Sequence, residues 1–125
     1  MARLAHSIPP ANTDLSPRQQ LVDALEQFRS GIDDQIGLRG VAALLYDPDS
    51  EFALIMRQQL LSPRVQVVLD LVRRAALGGE LPKTIDAQAV VHCLAGSYFA
   101  ELALTGHVSR SWAHHTVNQL PSGQQ

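Results

Sequence analysis

The sequence predicts an all-α fold, a helical bundle of about six helices, and three observations carry that expectation. Apolar residues recur at helical spacing along most of the chain. The β-branched residues never alternate with polar ones over any useful length, so nothing reads as a strand. Between the periodic stretches stand Gly, Pro, Asp and Ser, the residues that start and stop helices. With 125 residues, 46% of them hydrophobic, the chain is one domain's worth with a real core.

Residues 1–14 hold Pro9-Pro10 and no periodicity, and read as a flexible lead-in; a flexible tail is expected over 121–125, and the helical domain over 15–120. Ser16 caps the first helix, Pro17 suits its first turn, and Gln19 stands at the return position of a capping box. Leu21, Val22, Leu25 and Phe28 share one face, and Gly31 is expected to end the element. Ile36 to Tyr46 repeats the pattern, with Val41, Leu44 and Leu45 on one side and Asp47-Pro48 as the stop. Asp49 or Ser50 caps a third helix bearing Phe52, Ile55, Met56 and Leu60. Proline at 63 removes an amide donor and crowds the preceding turn, which leaves a kinked helix or a new one starting there.

From Val65 to Leu77, the residues Val65, Val68, Leu69, Val72, Ala75 and Ala76 make a broad apolar stripe that stops at Gly78-Gly79. Arg73 and Arg74 in its last turn favour the negative end of the helix dipole. Thr84 or Asp86 caps a long helix that closes at Thr105-Gly106. Ser109 caps a final short one in which Trp112, Ala113, Thr116, Val117 and Leu120 pack back on the body.

The long helix is the most informative element. Over Asp86 to Thr105 it carries one charge after its cap, Glu101, and it has two apolar faces. Ala89, Cys93, Gly96, Ala100 and Ala103 form a face of small residues, whereas Val91, Leu94, Tyr98 and Leu102 form a bulky one. A helix apolar on most of its circumference must be covered on more than one side. One side is expected to meet the core. The other is expected to seal a two-fold homodimer, together with the helix over 63–78, in a four-helix interface.

Composition excludes several functions. A formal charge of −2 without basic clusters argues against nucleic acid and anionic membranes as partners. Cys93 is the sole cysteine, so a reducing cytoplasm is the expected home. Residues 87–106 are long enough to cross a bilayer, but Gln88, His92 and Glu101 make that costly. No catalytic constellation is legible: His92 and Cys93 are adjacent and diverge on a helix, and His107, His114 and His115 lack the i, i+4 spacing of a metal pair. Neither an enzyme nor a cofactor or metal site is expected. Phe28, Tyr46, Phe52, Met56 and Tyr98, large or adaptable side chains on inward stripes, are the candidates to line an apolar pocket.

The order of motifs adds a resemblance. Leu60-Leu61-Ser62-Pro63-Arg64, then Arg73-Arg74-Ala75-Ala76-Leu77-Gly78-Gly79-Glu80-Leu81, then Ile85-Asp86, then Leu94-Ala95-Gly96-Ser97-Tyr98-Phe99 and Leu104-Thr105-Gly106 resembles the C-terminal regulatory domain of TetR-family transcriptional repressors. The likeness covers about residues 13–120. It implies a helical domain that dimerises through its last two long helices, with Val68, Val72, Ala89, Cys93, Gly96, Ala100 and Ala103 at the interface. It also implies an effector cavity lined from helices 17–30, 36–46, 50–61 and the inner face of 63–78. Members of that family begin with a three-helix DNA-binding unit that residues 1–14 do not contain, so no direct nucleic-acid binding is expected of this chain. The chain is then the regulatory part of a repressor or, alternatively, a stand-alone interaction module that pairs with a full-length regulator.

Overall fold

The computed structural model describes residues 14–123; the flexible lead-in expected over 1–14 lies outside them but for Asp14, whereas in the tail expected over 121–125 the Pro121 carbonyl accepts from Arg18 and the Gly123 amide donates to the Glu80 carbonyl at 3.0 Å. Among the described residues there are six α-helices: α1 (Pro17–Gly31), α2 (Gly37–Tyr46), α3 (Glu51–Met56), α4 (Ser62–Leu77), α5 (Ala87–Thr105) and α6 (Trp112–Asn118). No strand is present among the described residues. The π-helical turns Ile32–Ile36 and Arg57–Leu61 join α1 to α2 and α3 to α4, so the six segments form four helical runs, the first of them broken at Gly37.

Helix α1 starts as its sequence dictates. The Ser16 hydroxyl accepts from the Gln19 amide, and the Gln19 side chain accepts from the Ser16 amide. Gly31 is the last residue of α1, as expected, but it is no stop, because the chain keeps right-handed helical angles into the π-turn that follows. This glycine is buried against α4, where a Cβ would lie 2.8 Å from Arg64 Nε, and its role is close approach rather than a stop. The break comes at Gly37, whose φ of 71° and ψ of 172° suit only glycine, after a turn in which its amide reaches back five residues to Ile32.

Pro63 stands in the first turn of α4, near its start, and α4 follows the preceding π-turn without a gap. The Ser62 amide bonds Arg57 five residues back, and Leu61 and Ser62 keep right-handed helical angles. The wider turn makes room where the proline ring would crowd the carbonyl four residues before it. Gly79, at φ 86°, ends α4, and the Glu80 amide returns to the Ala75 carbonyl at 2.9 Å. Asp86, not Thr84, caps α5 by accepting from the Ala89 amide at 3.1 Å. At α6, Ser111 rather than Ser109 holds the cap position, and its side chain makes no capping bond.

The core joins Leu21, Leu25 and Phe28 of α1 to Val68, Leu71 and Val72 of α4, Val91, Leu94 and Tyr98 of α5, and Trp112, Ala113 and Val117 of α6. A second buried group, Ala53, Met56 and Leu60, lies under α3 outside that cluster. Two arginines of α1, about three turns apart, hold α6 at both ends. Arg18 donates to the carbonyls of Val117, Leu120 and Pro121, at the end where the helix dipole is negative. Arg29 donates to the carbonyls of Val108 and Ser109, just before α6 begins.

Candidate functional site

The two faces of α5 separate as their side-chain sizes imply. Val91, Leu94 and Tyr98 are buried and Leu102 half-buried, so the bulky face meets the core. On the small face Ala89, Cys93, Ala100 and Ala103 are exposed and Gly96 half-buried. A Cβ added at Gly96 would meet nothing within 4 Å. This chain leaves its own small-residue face open.

Helix α4 departs from the expectation. Val68 and Val72, expected at the interface, are 1% and 0% exposed and belong to the chain's own core. The side of α4 that adjoins the open α5 face carries Val65, Leu69 and Ala76, half-buried, and the exposed Leu77. The broad apolar stripe of α4 is split, one edge packed inward and the other left at the surface. Between this edge and α5 runs a cleft of about 330 Å³, lined by Leu61, Val65, Leu69 and Val91 with Arg57, Gln66 and His92 around them.

The five pocket candidates do not converge. Phe28 and Tyr98 are buried together, their rings edge-to-face with centroids 6.2 Å apart, and Phe99 and Trp112 complete the aromatic cluster. Met56 is buried in the second group under α3. Phe52 stands half out, over Gly40 of α2. Tyr46 is 92% exposed at the end of α2, so it is not an inward residue. Leu45, grouped by the periodicity with Val41 and Leu44, also faces outward.

The polar feature of this region is one the sequence does not reveal. The Tyr98 hydroxyl donates to the Asp33 carboxylate in the first π-turn, and Arg29 Nε meets the same carboxylate at 3.4 Å. Burial, reinforced by Asp33, pushes the Tyr98 hydroxyl well above its ordinary value, so it stays a proton donor. On the other flank of α5, Trp112 Nε1 donates to Ser97 Oγ at 2.8 Å, and Ser97 donates to the Leu94 carbonyl at 2.7 Å. Arg64 is the buried cation: its Nη1 donates to the Leu60 carbonyl, and burial lowers its pKa. Tyr98 and Asp33 lie 65 residues apart and Trp112 and Ser97 lie 15 apart, so periodicity offers no sign of either pair. The one local clue is that Arg18 and Arg29 share a side of α1.

Among the described residues no group of three or more His, Cys, Asp and Glu is placed to hold a metal ion. No helix among them is long and apolar enough to cross a membrane.

A family model described as tetracyclin repressor-like, C-terminal domain, matches residues 12–120. The chain belongs to this family. No curated protein and no solved structure matches it. Tetracyclin repressor-like C-terminal domains are regulatory rather than enzymatic, which fits a site made of packing surfaces rather than of convergent reactive groups.

Proposed function

We propose that this tetracyclin repressor-like domain acts as the homodimerising, effector-binding part of a transcriptional regulator. The observation that supports this is the open face of α5. Ala89, Cys93, Gly96, Ala100 and Ala103 present no bulk, so a partner helix can approach closely. The apolar edge of α4 beside it supplies the larger side chains, Val65, Leu69 and Leu77. Two copies related by a two-fold axis would bury both surfaces in one four-helix contact.

The effector is an apolar or amphipathic small molecule, for which the aromatic cluster of Phe28 and Tyr98 supplies apolar contact and the Tyr98 hydroxyl a polar group. Its binding would act by favouring one arrangement of the helices over another.

Light scattering on the purified chain tests the assembly. The parent is expected at twice the chain mass of 13.6 kDa, and Gly96→Arg, which drives a long charged side chain into the close contact, at that mass itself. A parent that stays at the single-chain mass at high concentration would refute the dimer.

A further inference from the structure

Helix α2 carries a second uncovered apolar surface. Its sequence from Gly37 to Tyr46 contains one charge, Arg39, and is apolar nearly all round. Ile36, Gly40, Val41 and Leu44 turn toward α3 and the core. Leu38, Ala42 and Leu45, at i, i+4 and i+7, form a separate outward stripe with Tyr46 beside it. Leu38 is 67% exposed and Leu45 66%. Such a stripe on a soluble helix marks a contact surface.

The charges around it define what fits. Asp34 lies in the turn before α2, and Asp47, Asp49 and Glu51 follow its end, all exposed. Among the described residues none of the four is in an ion pair. An apolar stripe bounded at both ends by acidic groups disfavours a second copy of itself, since a two-fold contact would set acid against acid. It equally disfavours an anionic lipid surface. We infer that the outer face of α2 docks a basic amphipathic helix from another polypeptide, whose apolar stripe lies on Leu38, Ala42, Leu45 and Tyr46 while flanking Lys or Arg residues meet Asp34, Asp47, Asp49 and Glu51. This surface is distinct from the α4–α5 face and does not depend on the dimer.

The test uses the whole chain and two synthetic helical peptides with the same leucine stripe, one flanked by lysines and one by glutamates. Fluorescence anisotropy is expected to show the lysine peptide binding at least about tenfold more tightly, with the difference narrowing as salt screens the charges. The double variant Leu38→Ser/Leu45→Ser removes exposed side chains and so keeps its helical circular dichroism. It is expected to lose about tenfold or more in affinity, as when central apolar anchors are removed from an interface. No binding of the lysine peptide, equal binding of both peptides, or undiminished binding by the double variant would overturn the inference. So would a fall in sedimenting mass caused by the double variant, which would make this face a contact between copies.

Discussion

At the scale of single residues, Tyr98 joins apolar packing to a polar tie. Its ring meets Phe28, Phe99 and Trp112 edge-to-face, a geometry that aligns positive ring edges with negative faces. Its hydroxyl reaches Asp33 at the junction of α1 and α2. The folded protein holds the Tyr98 proton more tightly than an unfolded chain, where the ordinary value is 10.0. Its contribution to stability is therefore complete below pH 10 and is lost as the pH rises beyond it. Chemical denaturation across alkaline pH is expected to show the parent losing stability more steeply above pH 10 than Tyr98→Phe. At neutral pH the same variant should be less stable by about 1.5–3 kcal/mol, the worth of a hydrogen bond to a charged partner. Parallel pH curves would show that the hydroxyl is not held as described. The ring's inward place is legible in the sequence, because Val91, Leu94 and Tyr98 share a face. The hydroxyl's partner is not, because only the fold brings residue 33 beside residue 98.

At the scale of elements, glycine and proline set the limits of what periodicity reveals. A glycine in a helical pattern can mark a left-handed stop or a close approach, and the local sequence is the same for both. Gly31 proves to be the second kind, its neighbour Arg64 arriving from α4. Gly37 proves to be the first, and Pro63 is absorbed by a π-turn whose fifth-residue hydrogen bond no apolar pattern announces. Helix existence and caps were open to reading because they depend on nearest neighbours, as at Ser16–Gln19 and Asp86. Continuity through the two π-turns depends on packing across the molecule. A Cβ at Gly37 would touch nothing within 4 Å, so the cost of Gly37→Ala lies wholly in the backbone. Urea unfolding is expected to show a loss of about 1–3 kcal/mol with an unchanged m-value. An unaffected midpoint would mean that the junction accepts another conformation and that α2 is not fixed by it.

At the scale of the whole molecule, core and assembly draw on the same helices but on different residues. The small and bulky faces of α5 are distinguishable in sequence because side-chain volume changes with the helical period. The apolar stripe of α4 is too broad for that: Val68 and Val72 read together with Leu69 and Ala76, and only packing against α1 assigns the valines to the interior. This division separates two kinds of defect. Val72→Ala empties a buried site and is expected to cost about 2–3 kcal/mol of stability, from lost transfer energy plus the cavity left behind. It should leave the association constant of the folded chains unchanged. Ala100→Arg alters an exposed position and should leave the stability of the single chain unchanged while it abolishes pairing. Thermal unfolding at several protein concentrations distinguishes them, since a dimer's Tm rises with concentration and a monomer's does not. The Val72→Ala curve should shift downward and keep its concentration dependence, whereas Ala100→Arg should lose that dependence. If Val72→Ala weakened pairing as much as Ala100→Arg does, α4 would meet its partner through the very residues that fill its core, and the interface drawn along Val65, Leu69 and Leu77 would be wrong.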